Sequence, residues 1–403
     1  MASPVRAPRC AASTSYSAVA ALACFGVLGA SALAACGPAA TQAQVIQLDP
    51  IEIKADRSGK TYVKDYDALV DEAMSRYHAG DHGEALRLFD ALVREYPDRP
   101  GIAAVQHNAG LALLKLGRPA DAAERFRDAM RRTAGSRNAR DALFLLAEAL
   151  DAAGKPLAAA AVLHGALEDP AVREAIGGDL GLLDGLEARA QLGLLYRRGG
   201  EITKADEAFR KVERLYNDHR DVQLVAESEW VARSLYERGE IYRELFAIIR
   251  FKLPVDRMKR DLEDKANLFL KAESAYFHCV RLQHKVWALA AGYEIGHLYT
   301  QLIEDIDNAE APPELDALTV EVYRDELWNH TERLAKRAVV IYKKNIELAT
   351  RLGQKDSDWV KRSEAGLSRM ETLIESATAR RVKLMTAPPP AGLPGVATPT
   401  SSR

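Results

Sequence analysis

The sequence predicts an all-α fold made of stacked helical hairpins. Apolar residues recur at i, i+3 and i+4 through most of the chain, and no alternating run of β-branched residues interrupts the central region. A short pattern also repeats, with glycines at Gly80, Gly117 and Gly154 spaced 37 residues apart and a fourth copy around Gly200. Because one hairpin cannot bury its apolar face alone, we expect the hairpins to stack into a right-handed solenoid.

Each copy of the repeat has the same four parts: a small residue on the first helix, the turn glycine, an alanine on the second helix, and a large residue four places later. The small residues allow the two helices to approach closely, and the large residue fills the space beside them. The sets are Ala73, Ala85 and Phe89; Gly110, Ala122 and Phe126; Ala147, Ala159 and Leu163; and Gly193, Ala205 and Phe209.

The second half repeats the pattern with longer spacing. Gly193 to Tyr196 recurs as Gly239 to Tyr242 and as Gly296 to Tyr299, with Ala272 and Tyr276, then Ala338 and Tyr342, on the partner helices. Prolines at 254, 312 and 313 mark helix boundaries. We therefore predict long helices over 222–252, 256–283, 285–308, 314–352 and 356–380, the last as a solvated cap, and divide the array into 66–220 and 221–382.

These residues resemble the tetratricopeptide repeat (TPR), in which a small residue, a turn glycine, an alanine, an aromatic and a closing proline such as Pro97 follow in order. The resemblance implies a TPR-type solenoid with elongated C-terminal helices. It also implies a peptide-binding surface made by the first helix of each hairpin. The matching positions are His107, Leu111, Lys115, Phe144, Glu148, Arg197, Tyr236, Arg243, Tyr293 and His297. Their mixture of aromatic and charged side chains suits an extended or helical peptide, although the tyrosines also suit core packing.

The N-terminus has the layout of a secretory signal: a basic head with Arg6 and Arg9, an apolar run over 17–32, and small residues. Leu33-Ala34-Ala35-Cys36 resembles the signal of bacterial lipoproteins, which implies removal of 1–35, lipidation of Cys36 and a spacer over 36–65. In such lipoproteins Gly37, rather than Asp, favours the outer membrane, here its periplasmic face. Cleavage after Ala32-Leu33-Ala34 without lipidation, and an uncleaved membrane anchor, remain as alternatives.

Composition and motifs exclude several function classes. The net charge of -2 offers no basic surface for nucleic acid. If Cys10 and Cys24 are removed with the signal and Cys36 carries lipid, Cys279 has no disulfide partner, and its apolar surroundings indicate a buried structural thiol. We find no catalytic motif, and His78 and His82 straddle a turn, so we predict no enzyme activity, no metal and no cofactor.

The acidic residues Glu304, Asp305, Asp307 and Glu310 are interpreted as a solvated helix end, and the proline-rich segment 383–403 as a disordered tail.

These features predict a non-catalytic periplasmic scaffold that binds envelope proteins and no small-molecule substrate. Two contexts fit. Residues 64–135 resemble the TPR lipoprotein of the β-barrel assembly machinery, whereas Trp287 to Tyr299 and the segment through Pro312, Tyr323 and Leu327 resemble TPR proteins of myxobacterial gliding motility. We favour the second context because it includes the elongated repeats. A peptidoglycan- or polysaccharide-binding or hydrolysing protein is the alternative of another class.

Overall fold

The computed structural model describes residues 66–386, which are helical throughout apart from turns and short connections. Six helical hairpins follow one another along the chain, and a single long helix, α15, ends the array. The hairpins are α1 (Tyr66–His78) with α2 (His82–Glu95), α3 (Ile102–Lys115) with α4 (Pro119–Arg132), α5 (Arg137–Ala152) with α6 (Pro156–Glu168), α8 (Leu182–Arg198) with α9 (Ile202–Asp218), α11 (Glu229–Ile248) with α12 (Val255–Arg281), and α13 (Trp287–Asp307) with α14 (Ala317–Arg351). Two short helices, α7 (Pro170–Ala175) and α10 (Gln223–Ala226), connect hairpins, and α15 spans Asp358–Thr386.

The turn glycines reverse the chain as the sequence predicts. Gly80 and Gly117 have φ values of 82° and 69°, in the left-handed region that a side chain disfavours. The backbone N–H of Asp81 then donates to the carbonyl of Arg76 at 3.0 Å, which satisfies a carbonyl at the end of α1. A glycine at this place therefore ends the first helix and starts the second within four residues.

A glycine on the first helix faces an aromatic ring on the second in four of the hairpins. A Cβ atom placed on Gly193 would lie 2.4 Å from Cε1 of Phe209, and one on Gly239 would lie 2.4 Å from Cε1 of Tyr276. Gly110 with Phe126 and Gly296 with Tyr342 repeat the contact. The predicted pairing of small and large residues is confirmed, and its reason is direct ring-to-backbone contact within each hairpin.

The apolar core continues from hairpin to hairpin. One cluster of buried side chains spans Tyr66 to Leu195 and a second spans Leu186 to Ala377, so both include residues of α8. Cys279 is fully buried in the second cluster, where its thiol donates to the carbonyl of Ala232 at 3.2 Å, as expected of a structural cysteine. Burial raises the pKa of this thiol far above its ordinary value. Within residues 66–386, no helix combines the length and the apolar character needed to span a bilayer.

The helix boundaries differ from the predicted ones at two places. The helix predicted over 222–252 is shorter, because α10 forms a separate turn, α11 starts after Ser228, and the chain becomes extended at Ile249. At the other end, α15 continues to Thr386, so the first residues of the segment predicted to be disordered from 383 are helical. The signal, Cys36, the spacer and the remainder of the C-terminal segment lie outside the described residues.

The acidic residues at the end of α13 are paired with basic groups or a backbone donor, which corrects the prediction of a solvated helix end. Asp305 binds Lys265, whose side chain is 0% exposed, at 2.8 Å, and Glu304 binds Arg369 of α15 at 2.6 Å. Glu310 accepts a hydrogen bond from the backbone N–H of Leu253 at 3.0 Å. These contacts join the end of α13 to α12, to the connection before α12, and to α15. The sequence did not reveal them because the partners are 40 to 70 residues away.

Candidate protein-interaction surface

The first helices of successive hairpins lie side by side and form one surface. We call the A face the surface made by α1, α3, α5, α8, α11, α13 and α15. Side chains connect neighbouring helices of this row: Arg140 of α5 pairs with Asp184 of α8 at 3.1 Å, and Arg197 of α8 pairs with Glu237 of α11. Next, Arg243 of α11 pairs with Glu294 of α13 at 3.3 Å.

In the N-terminal part of the A face, two predicted binding residues lie in the core. His107 and Leu111 are only 2% and 4% exposed, and the His107 ring packs edge-on against Phe126 at 5.7 Å. Their assignment to an open binding surface is therefore corrected. The reason is that α3 is enclosed on all sides, since every residue over 104–113 is buried.

The other predicted residues of this part remain accessible. Lys115 and Glu148 are exposed, and Phe144 is half-buried. Burial of its surroundings raises the pKa of Glu148, and the charge of Lys115 partly offsets this rise. The exposed Glu148 carboxylate can accept a hydrogen bond from a partner.

Arg197 already has partners within the chain. Its guanidinium pairs with Glu237 and, at 2.6 Å, with Glu244, so it joins α8 to α11. Arg198 likewise pairs with Asp151 of α5. Burial raises the pKa of Glu237, while Arg197 and Arg233 oppose that rise. Arg197 therefore contributes to the A face chiefly by holding α8 and α11 in place relative to each other.

A buried charge network connects α11 and α13. Arg243 donates to Glu240 at 3.0 and 2.6 Å and lies 3.3 Å from Glu294, and the Tyr276 hydroxyl also donates to Glu240. Burial first, and the charge of Glu240 second, raise the pKa of Glu294 to about 7, although Arg243 and Arg362 oppose the rise. Two carboxylates thus share one guanidinium in a site with little water.

Aromatic rings border this network on the A face. Tyr236 packs on Trp287 at 5.2 Å, and Tyr293 stacks on His297 at 5.8 Å with the two ring planes 6° apart. Tyr293 also lies 5.8 Å from Trp359 at the start of α15. Tyr236, Tyr293 and His297 are half-buried, so each packs against neighbours and leaves part of its surface accessible. Burial, followed by the charge of Arg243, lowers the pKa of His297.

The ten predicted residues therefore do not converge on a single site. Arg243, Tyr293 and His297 come together where α11, α13 and α15 meet, and Arg197 and Tyr236 flank Glu237 one helix earlier. Lys115, Phe144 and Glu148 form a separate area on α3 and α5. Whether these residues bind a peptide stays a prediction.

Sequence reasoning missed Trp359 and Arg362 because it treated the last helix only as a cap. In the structure the Cζ atom of Arg362 lies 4.8 Å from the centre of the Trp359 ring, beside Tyr293. The available signal was a tryptophan and an arginine three residues apart, which places both on one side of a helix. Between residues 66 and 386, no group of three or more His, Cys, Asp or Glu side chains is arranged to hold a metal ion.

Comparison with known proteins identifies the repeats. Two family models, both described as tetratricopeptide repeat, match residues 66–134 and 107–173. Residues 66–173 therefore carry tetratricopeptide repeats. Together with the stacked hairpins, this match shows an all-α TPR solenoid, and the predicted fold class is confirmed.

Solved structures, two of them described as TPR proteins, resemble this chain weakly. A tetratricopeptide repeat protein from Parabacteroides merdae is 14% identical, with 74% of this chain and 98% of that chain covered and a TM-score of 0.33. The C-terminal part of a TPR repeat-containing protein from Cytophaga hutchinsonii is 10% identical over 77% and 98%, with a TM-score of 0.38. MamA is 19% identical over 50% and 95%, with a TM-score of 0.31. No curated protein matches the sequence significantly.

Proposed function

We propose that this chain is a non-catalytic scaffold that binds other envelope proteins through its A face. The observation that carries the proposal is the row of half-buried rings and accessible charges on successive first helices, from Lys115 and Glu148 to Tyr293 and His297. Solenoids of stacked hairpins bind partners along such extended surfaces, because each repeat adds a few side chains to a continuous row. A partner segment that follows the row would contact several helices at once.

The internal ion pairs support this role. Arg197 and Arg243 each form an ion pair with a carboxylate of the neighbouring helix, and these pairs hold the helices in place relative to one another. A surface that is rigid before binding loses less conformational entropy when a partner docks. The accessible residues Lys115, Glu148 and Arg362 are then available to select the partner by charge.

The proposed location is the periplasmic face of the outer membrane. It rests on the basic head, the apolar run and Leu33-Ala34-Ala35-Cys36, the pattern of a lipidated N-terminus. Acyl chains on Cys36 would hold the TPR array close to its partners, since each buried CH₂ contributes roughly 0.8 kcal/mol to membrane binding. Within the envelope we favour a multiprotein machine of the gliding-motility kind, because the elongated repeat that begins at Trp287 resembles those proteins.

The β-barrel assembly machinery is the second candidate. It is favoured by residues 64–135, where Phe89, Pro97 and Phe126 follow the order found in its TPR lipoprotein. The two contexts differ in the proteins that should lie against the A face. In the first, these are subunits of the envelope machine, and in the second they are other components of the barrel-assembly complex.

In-cell photo-crosslinking tests the proposal. A photoreactive amino acid would replace Glu148 or His297 on the A face, in the full chain with its native signal and in its own host. A matched probe would replace Leu270, which is 60% exposed on the second helix α12. The proposal predicts that both A-face probes capture the same envelope protein and that Leu270 does not. A chain with Cys36→Ala should lose the capture, because the array is no longer tethered.

Two outcomes would contradict the proposal. Equal capture of the same protein from Leu270 would mean that the A face is not the binding surface. Capture of glycan strands alone, unchanged by Cys36→Ala, would instead favour a protein that binds or cleaves the cell wall.

A further inference from the structure

The C-terminal end of the A face carries a shelf of three rings. We call the ring shelf the side chains of Trp359, Tyr293 and His297, which come from α15 and α13. Tyr293 lies 5.8 Å from each of the other two rings, parallel to His297 and tilted by 41° from Trp359. All three are half-buried, so each ring leaves part of its apolar surface accessible to a partner.

Arg362 extends this shelf with a positive charge. Its guanidinium lies over the Trp359 ring, with Cζ 4.8 Å from the ring centre, and the residue is exposed. A guanidinium that stacks by its face keeps the N–H groups along its edge free to bind a carboxylate through two hydrogen bonds. The stack also holds the side chain in place before any ligand arrives.

Unlike Arg243 and Arg369, Arg362 forms no ion pair within the described part of the chain. Arg243 is held by Glu240 and Glu294, and Arg369 is held by Glu304. Asp358, one turn before Arg362, pairs with Lys361 instead, at 3.3 Å. Glu364 is two residues further along α15 and so lies on a different side of the helix. Arg362 therefore forms no ion pair at the surface, although its charge acts on the buried Glu294.

We propose that the ring shelf and Arg362 bind an acidic segment of a partner protein. One carboxylate of the segment pairs with the edge of the Arg362 guanidinium, and a neighbouring aromatic or proline residue lies on the shelf. This inference rests on the proposed function, since it names the kind of segment that the A face receives at its C-terminal end.

Charge complementarity selects this occupant over a basic segment. The buried carboxylates beside the shelf, Glu240 and Glu294, share Arg243, so they present little negative charge to a partner. Of the exposed acids on α15, Asp358 pairs with Lys361, and Glu364 lies on a different side of the helix from Arg362. A basic segment would therefore place its cations beside the Arg362 guanidinium. A proline or an aromatic ring suits the ring shelf because both are rigid and lose little conformational entropy on docking.

Selection from a random peptide library tests the inference. The full chain would be immobilised and used to enrich phage that display 12-residue peptides. Selected peptides should be rich in Asp and Glu next to Phe, Tyr, Trp or Pro. The same selection with Arg362→Gln should lose the preference for acids, and with Trp359→Leu it should lose the preference for rings and proline. Arg351→Gln is the matched control, since Arg351 is also exposed and has no ion pair among residues 66–386.

The affinity of a selected peptide gives the second measurement. Fluorescence anisotropy should show binding at least tenfold weaker to the Arg362→Gln variant and unchanged binding to the Arg351→Gln variant, with circular dichroism confirming that both are folded. Peptides without excess acid, or equal binding by the Arg362→Gln variant, would overturn the inference while leaving peptide binding by the A face intact. Failure to enrich any peptide would also overturn it, and the crosslinking experiment would then decide the proposed function independently.

Discussion

At the scale of single residues, burial decides the behaviour of the charged groups on the A face. Glu294 is 6% exposed and shares Arg243 with Glu240, so its pKa is raised to about 7. The sequence placed Arg243 on the binding surface, but it did not indicate Glu240 or Glu294 as partners. Helical periodicity predicts which face a side chain occupies, whereas the pairing across two helices depends on how far one hairpin is shifted along the next.

Replacement of Glu294 tests this view through the dependence of stability on pH. A carboxyl with a folded-state pKa near 7 and an ordinary value of 4.5 binds its proton more tightly in the folded chain. It therefore stabilises the fold at pH below 4.5, and this contribution is lost as the pH rises through 7. Glu294→Gln should remove the contribution. The quantity to compare is the free energy of unfolding of the wild type minus that of the variant. This difference should be larger at pH 5 than at pH 8, by on the order of 2 kcal/mol.

Urea titrations at the two pH values measure this difference. Glu364→Gln, which changes an exposed acid on α15, is the control and should leave the pH dependence unaltered. Parallel pH profiles for the wild type and the Glu294→Gln variant would show that Glu294 is not held in the buried state described above.

At the scale of helices, the structure follows the local pattern of small and large residues closely. The pairs Gly239 with Tyr276 and Gly296 with Tyr342 could be predicted because each glycine and each ring recurs at the same place in its hairpin. The boundaries of α11 could not be predicted from the sequence, because residues 223–228 continue an apolar pattern. In the structure this stretch forms a short helical turn before the new helix begins. Burial of His107 was missed for a related reason, since a polar side chain inside the core carries no periodic signal.

Gly193 provides a direct test of hairpin packing. Gly193→Ala places a methyl group 2.4 Å from Cε1 of Phe209, so either the Phe209 ring or one of the two helices must shift. We expect the free energy of unfolding to fall by about 1–3 kcal/mol, as for other overpacked cores. Gly83→Ala, on α2 with no atom within 4 Å of the added methyl, should be neutral or stabilising by up to about 1 kcal/mol. Chemical denaturation of both variants makes the comparison, and an equal effect of the two would refute the close-contact explanation.

At the scale of the whole molecule, α15 is part of the array as well as its cap. Its outer side is polar, as predicted for a solvated end, but Met370 is 0% exposed and Ser363 accepts a hydrogen bond from the buried Asn345 at 3.0 Å. The sequence predicted the helix and its capping role. It did not predict that the same helix brings Trp359 and Arg362 to the A face, because that depends on the angle at which α15 packs on α13.

Truncation separates these roles. A chain that ends at Gln354 lacks α15 and loses the burial of Val360 and Met370, which together contribute about 3–6 kcal/mol at roughly 1.5–3 kcal/mol per side chain. It should unfold at a lower temperature and self-associate through the uncovered sides of α13 and α14. A chain that ends at Thr386 should behave as the full chain does. Thermal unfolding and size-exclusion chromatography with light scattering measure both properties, and a stable monomer ending at Gln354 would contradict the account.

Charge reversal on the two sides of the array tests whether the A face binds a partner protein. Once crosslinking has identified the partner, its affinity would be measured by calorimetry for the full chain, for the double variant Glu148→Lys, Arg362→Glu, and for Lys259→Glu, which alters a residue that is exposed on the second helix α12. The account predicts that the A-face variant binds at least tenfold more weakly, a loss of about 1.4 kcal/mol, while Lys259→Glu binds as the wild type does. Unchanged affinity of the A-face variant, or an equal loss with Lys259→Glu, would contradict it.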